Sequence, residues 1–476
     1  MLFNSVEFAI FLPIVFAIYW RLKNSTKAQN ILILVASYLF YGWWDWRFLS
    51  LIAFSTLIDY IVGIQLQKTE KRKQRRNWLL LSLLVNLGFL GFFKYYNFFA
   101  DNLVEAFTFF GQSLSLQSLN IILPVGISFY TFQTLSYSID IYRRKLEPAK
   151  DLIAFASYVS FFPQLVAGPI ERATNLLPQF YKKREFTYSN ASNGMRQILW
   201  GLFKKVVIAD NCANIVNPIF ENYQDQHSIV LVLGAVLFAF QIYGDFSGYS
   251  DIAIGVSKLF GFNLMTNFRT PYFSRDIAEF WRRWHISLST WFRDYLYFPL
   301  GGSRCGVTRG IRNTFIIFLV SGFWHGANWT FVVWGGLNAL FFLPLFLMKK
   351  NRKNIATVAE GKLLPSLSEG LRIISTFVLT SFAWIFFRAE NINHAFNYIQ
   401  SFYHNLNFNL NLPPGLSIFL PLSILLVVEW LHREKEFTLE DWNLPVIPRW
   451  SFYIIIGTII LLFAPKNPQS FIYFQF

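Results

Sequence analysis

The segment Ser321-Gly322-Phe323-Trp324-His325-Gly326-Ala327-Asn328-Trp329 puts a histidine midway along an apolar stretch running from Phe315 to Met348. An ionisable ring inside a membrane segment is costly, and where it persists it marks function by default. A neutral imidazole near pH 7 is a general base able to activate a hydroxyl. The competing reading is a packing histidine bonded to a carbonyl. Gly322 and Gly326 flank His325 and leave room for backbone or substrate to approach, which favours function. Arg309 and Arg312 precede the stretch, and Lys349, Lys350, Arg352 and Lys353 follow it. Basic residues at both ends predict an even number of crossings. A tight hairpin or re-entrant pair is therefore expected, with His325 near its turn. Asn328 or a helix dipole is a candidate to steady an oxyanion there.

A second histidine, His285, lies in SRDIAEFWRRWHISLSTWFRDYLY (274–297). The pattern predicts one amphipathic helix, with Ser274 as N-cap and Asp276 and Glu279 in the first turn. Phe280, Trp284, Leu288, Trp291 and Tyr295 share one face. Arg282, His285, Ser289 and Arg293 recur on another. Glu279 is spaced to pair with Arg283. Such a helix can lie in the cytoplasmic interface. It can equally form a basic lip that holds an anionic donor, such as the phosphates of a coenzyme.

Three further segments are studded with polar groups. Tyr243-Gly244-Asp245-Phe246-Ser247-Gly248-Tyr249-Ser250-Asp251 sets two carboxylates in apolar surroundings. Phe161 to Arg172 ends on an acid–base pair, and Ser128 to Gln133 offers hydroxyls and an amide. Each can line a tunnel or join helices by hydrogen bonds. Asp245 is kept as a candidate for the tunnel.

Other chemistries find no foothold. The two cysteines, Cys212 and Cys305, stand far apart without CxxC spacing, so neither a disulfide framework nor a zinc site is expected. No HxxxxD pair, GxSxG elbow, Walker loop, HExxH or Rossmann fingerprint occurs. An enzyme of this sequence would be metal-free and built around histidine.

The elements that must position these residues are membrane helices. The chain has 476 residues, 54% of them hydrophobic and only 14% charged, where soluble domains carry about a quarter charged residues. Apolar runs that reach or approach the roughly 20 residues of a bilayer span include 8–20, 31–44, 48–64, 78–99, 229–243, 377–387 and 453–463. No basic n-region precedes the first run, so it reads as a permanent helix rather than a cleaved signal. The net charge of +15 fits basic loops against anionic lipid rather than a nucleic-acid partner. The aromatic share of 20% exceeds what interface belts need and suits a lined cavity.

Loops 21–29, 68–76 and 143–150 are basic, whereas 101–120 holds Asp101 and Glu105 and no Lys or Arg. This alternation places the first three in the cytoplasm, and the N-terminus and 101–120 outside. Lys94, inside the fourth run, is expected to snorkel outward. Between about 160 and 345 the apolar runs are short and interrupted by Gly, Pro and charge, as at Gly244-Asp245. Irregular backbone at membrane depth needs protein or a water-filled cavity around it, so the functional site is expected there.

With these residues in view, the chain resembles the membrane-bound O-acyltransferase family, MBOAT. FWRRWHISLSTWFRDYLYFPLGGSR (280–304) and SGFWHGANWTFVVWGGLNA (321–339) carry the resemblance. FFPQLVAGPIER (161–172), QIYGDFSGYSDIAIG (241–255) and FIYFQF (471–476) are similar to its bacterial alginate O-acetylase branch. The teichoic acid D-alanyl transferase branch fits the flanks less well.

The resemblance implies an all-α integral membrane protein of about 11 to 13 transmembrane or re-entrant helices. They would form a ring around a thin centre with a tunnel. A single domain over 1–476 is expected, with its catalytic core at about 121–345. The family's histidine maps onto His325 and its other recurrent histidine onto His285. Arg282, Ser289, Arg293, Asp245 and Asn328 are candidates for donor binding or tunnel lining.

The implied donor is acetyl-CoA or a similar thioester, with no bound cofactor or metal. The implied acceptor is an extracytoplasmic polysaccharide such as alginate. It would be reached from a bacterial inner membrane through a separate periplasmic or surface-facing transferase. Three alternatives stand beside this reading: D-alanyl or peptidoglycan acyl transfer, acylation of a lipid or protein, and a transporter or flippase without covalent chemistry.

Overall fold

In the computed structural model every regular element among the described residues is a helix. The structure describes residues 1–476 except 112, 113, 115, 117, 167, 405–414, 443, 466–468, 475 and 476. Ala167 of segment 161–172, Gln475 and Phe476 of segment 471–476, and four positions of 101–120 thus lie outside the described residues. Among those described, six helical stretches are long and apolar enough to cross a membrane: Thr26–Lys68, Arg72–Phe109, Ser228–Leu259, Trp329–Leu347, Leu367–Arg388 and Val446–Phe463. The molecule is a multi-pass membrane protein. Its residues group into two compact units, Met1–Ala191 with Val256–Leu264, and Ser192–Gly255 with Met265–Phe476.

In the first unit the expected apolar runs fall inside helices Val6–Arg21, Thr26–Asp45, Leu49–Lys68 and Arg72–Leu90. The last continues through a π-helical turn, Gly91–Tyr95, into Tyr96–Phe109. Asp101 and Glu105 therefore stand on a helix and not in a loop. Residues 96–110 contain neither Gly nor Pro, and the chain leaves the helix only near Gly111, whose φ is 73°.

Buried polar groups join these helices. Asp59 accepts hydrogen bonds from Ser82 (2.5 Å), Asn86 (2.9 Å) and Ser138 (3.1 Å). Asn86 in turn accepts from Ser55 and Thr134. Interhelical hydrogen bonds of this kind supply association energy that the hydrophobic effect cannot give inside lipid. At one end of the unit Arg144 pairs with Glu70 at 2.7 Å, and Arg75 donates to the carbonyls of Ile141 and Tyr142. The basic segment 68–76, of which only 69–71 lies outside helices Leu49–Lys68 and Arg72–Leu90 rather than forming the expected loop, thus shares that end with 143–150.

Helix Ser228–Leu259, whose residues 228–255 belong to the second unit, runs 32 residues without the break expected at Gly244-Asp245. The glycines serve close packing instead. A Cβ on Gly248 would sit 2.8 Å from the Gly201 carbonyl, and one on Gly244 2.8 Å from the Lys204 carbonyl. Helices Val307–His325 and Trp329–Leu347 form the expected hairpin, with His325 as the last residue of its first arm. Gly322 lets the arms touch, since a Cβ there would lie 2.2 Å from the Phe331 carbonyl.

Candidate functional site

His325 is buried, with 3% of its surface exposed. Its ring is boxed by Trp324 (centroids 4.8 Å apart), Trp334 (5.1 Å, perpendicular), Phe387 (5.4 Å) and Tyr473 (5.5 Å). Gly326, just after it, is extended, and a Cβ there would fall 2.0 Å from the Phe331 ring. The flanking glycines therefore admit Phe331 and the second arm of the hairpin.

His285 stands where the expected 274–297 helix is broken. Ile277–Arg283 and Ile286–Phe292 are separate helices, followed by a π-helical turn at Arg293–Tyr297. Between them Trp284 is extended and His285 is left-handed, with φ 44° and ψ 54°. The first helix is capped by Asp276, which accepts from the Glu279 amide at 2.7 Å, and not by Ser274. The expected Glu279–Arg283 pair is present at 2.9 Å.

Asn267 imposes the break. Its carbonyl accepts the Ile286 amide at 2.9 Å, and the Arg283 carbonyl takes the Arg269 amide at 3.0 Å. Groups that a continuous helix would pair internally are thus satisfied by a neighbouring segment. The Asn267 side-chain oxygen lies 3.1 Å from His285 Nδ1. An amide oxygen only accepts, so Nδ1 carries the proton and donates. His285 Nε2 is buried without a hydrogen-bond partner among the described residues. Burial among rings, outside the helices long enough to span, pushes the His285 pKa down to about 3 and keeps the ring neutral. The His285 and His325 ring centroids are 6.4 Å apart.

A cavity of about 730 Å³ opens beside this pair. Arg293, Arg304, Lys349 and Arg352 stand on its wall toward solvent; Trp281, Ile317, Phe318, Ser321 and Phe342 line its apolar side. Neither imidazole lines it. Ser321 precedes His325 by four residues on one helix, and Ser289 follows His285 by four, so the wall comes within about 6 Å of axial rise of each histidine. Trp281, which lines the cavity, has its ring 5.7 Å from that of Trp334, which in turn packs on His325.

The candidate residues thus separate into groups. Ser289 and Arg293 line the cavity; Arg293 also pairs with Asp294 at 2.8 Å. Arg282 donates to the carbonyls of Asn351 (2.8 Å) and Asn354 (2.7 Å), fastening a loop whose Asn351 and Arg352 line it. Asn328 caps helix Trp329–Leu347, accepting from the Thr330 amide at 3.0 Å and donating to the Glu390 carbonyl at 2.7 Å. Its side chain is committed at both ends.

Asp245 is buried, pairs with Lys205 at 2.7 Å and accepts the Ile472 amide at 2.6 Å. It anchors the segment that carries Tyr473 to the His325 ring. Asn267, Trp281 and Tyr473 do not stand out in the sequence as site residues. A lone Asn in an irregular segment and aromatic residues among many carry no local signal. The similarity of 471–476 to a known branch is the one pointer to Tyr473.

Residues 33–387 match the MBOAT, membrane-bound O-acyltransferase, family. The probable alginate O-acetylase AlgI of Pseudomonas aeruginosa is 40% identical over 405 residues, covering 85% of this chain and 75% of its own length. The peptidoglycan O-acetyltransferase of Helicobacter pylori is 36% identical over 430 residues, covering 84% and 79%. The teichoic acid D-alanyltransferase of Bacillus subtilis is 28% identical over 291 residues, covering 58% and 71%. A family match over most of the chain, together with acetyltransferase relatives 36–40% identical and covered over three quarters of their own length, makes this protein an acyltransferase of the membrane-bound O-acyltransferase family.

Proposed function

We propose that the protein is a polysaccharide O-acetyltransferase that takes its acetyl group from cytoplasmic acetyl-CoA. The observation that carries this is the cavity, with four cationic side chains near its mouth and an apolar inner wall that lies a helical turn from both histidines. Guanidinium and ammonium groups suit the phosphates of a coenzyme, and the apolar wall suits its thioester arm. The acceptor hydroxyl gives its proton to His325 as its oxygen attacks the thioester carbonyl. The C–S bond then breaks, the acetyl ester forms, and coenzyme A leaves as the thiolate toward the basic mouth. His285 supplies a second neutral imidazole that orients the reacting groups. Asn328 is occupied as a cap and is given no role in oxyanion stabilisation.

The alginate- and peptidoglycan-modifying relatives support an extracytoplasmic glycan as final acceptor. In this reading the acetyl group crosses the bacterial inner membrane and passes to the glycan through a separate surface-facing transferase. Purified protein in detergent, given radiolabelled acetyl-CoA and a hydroxyl acceptor, should release free thiol and acetylate the acceptor in equal amounts. Absence of acetyl-CoA turnover in membranes that still acetylate glycan would overturn the donor assignment.

A further inference from the structure

We infer that Asn267 is a positioning residue for acyl transfer, one that fixes both the tautomer and the backbone setting of His285. The inference rests on the catalytic reading of the histidine pair given above. Asn267 is wholly buried, and every polar atom of its side chain is engaged. Its Oδ1 accepts from His285 Nδ1 at 3.1 Å, Ser287 Oγ at 2.9 Å and the Ser287 amide at 3.3 Å. Its Nδ2 donates to Ser250 Oγ at 3.0 Å on helix Ser228–Leu259. The amide is thereby clamped with its oxygen toward His285.

Two consequences follow for the ring. With Nδ1 protonated and bonded, the lone pair resides on Nε2, which is buried and meets no partner among the described residues. An unsatisfied buried acceptor is unfavourable by itself, and it is what a site awaiting a donor group presents. The His285 backbone also occupies the left-handed region at φ 44°. Strained settings of this kind persist where the surroundings over-determine them. The Asn267 backbone and side chain together do so here. Were the asparagine merely a loop staple, the Ile286 amide bond to its carbonyl would suffice, and the side-chain bond to the ring would be superfluous.

The test pairs spectroscopy with kinetics on the full-length protein in detergent. Nitrogen-15 histidine spectra, assigned by subtracting those of His285→Gln, should show His285 protonated at Nδ1 and bare at Nε2. A ring protonated at Nε2 would overturn the inference directly. Asn267→Ala should lower kcat about 10- to 100-fold, the range that partners orienting metal-bound histidines show, with KM for acetyl-CoA unchanged. Asn267→Asp, which keeps an acceptor oxygen, should recover most of the loss. A purely structural role would instead give equal losses in both variants, tracking melting temperature. Should Asn267→Ala fold poorly, Ser287→Ala removes one of the clamping bonds and should leave the tautomer signal intact. If the parent protein shows the expected tautomer yet transfers no acetyl group, the catalytic reading fails while the ring assignment stands.

Discussion

Ser321 and His325 sit one turn apart on the same helix, yet of the two only the serine lines the cavity; Trp281, which also lines it, packs on Trp334, and Trp334 packs on the His325 ring. The cavity and the histidine pair are therefore neighbouring compartments, and residues of each should fail in different ways. Cavity residues should act on donor affinity, and the histidines on turnover.

Arg293→Ala should raise KM for acetyl-CoA about 3- to 10-fold, leave kcat near the parent value and spare folding. Its side chain is 52% exposed, so its ion pair with Asp294 contributes little to stability. The effect should shrink as salt screens the mouth. Arg282→Ala should also raise KM, but through release of the loop held by its bonds to Asn351 and Asn354. Its defect should therefore persist at high salt. Donor affinity measured across a salt series for both variants separates the two.

Asp245→Ala should be destabilising by about 1–3 kcal/mol, because it removes one of the two carboxylates that pair the buried Lys205 ammonium and leaves only Asp210, at 2.8 Å. It also frees the Ile472 amide and with it the segment bearing Tyr473. Thermal melting in detergent and proteolysis of the C-terminal end check both effects. A variant that melts with the parent protein would remove Asp245 as the anchor.

Segments 68–76 and 143–150 should face the cytoplasm. The Arg144–Glu70 pair joins them, so they must share a membrane face, and both are rich in basic residues. With Cys212 and Cys305 replaced by alanine, Lys71→Cys should react with an impermeant thiol reagent only after cells are opened. Strong labelling of intact cells would reverse the orientation.

Much of the scaffold around the candidate site is legible in the sequence because its signals are local. The hairpin around His325 follows from an apolar stretch with basic flanks, and the helix around 229–243 from its composition. The break at His285 is not legible. Segment 274–297 keeps helical periodicity and contains neither Gly nor Pro. What divides it is a tertiary event, the capture of the Ile286 amide by Asn267. The same holds for Gly244 and Gly248, which look like helix breakers and instead allow a close crossing near Gly201 and Lys204. Sequence spacing shows which residues a helix presents; it does not show which backbone groups another segment takes.

His325→Ala should abolish acetyl transfer in a protein that still inserts and folds. Removing a general base lowers rate by about 10² to 10⁴. A histidine that only packs against Trp334 and Phe387 would instead lower yield and melting temperature on truncation. Since some cavity cost accompanies the alanine, His325→Gln serves beside it, filling the ring's space without a basic imidazole. Both variants should lose turnover together while His325→Gln melts near the parent protein. His285→Ala, lacking the orienting ring but retaining His325, should lose less. The measurement is acetyl groups on secreted glycan in cells, alongside detergent melting profiles of the four proteins. A well-folded His325→Gln enzyme with near-parent acetylation would take His325 out of catalysis, since glutamine cannot accept the hydroxyl proton.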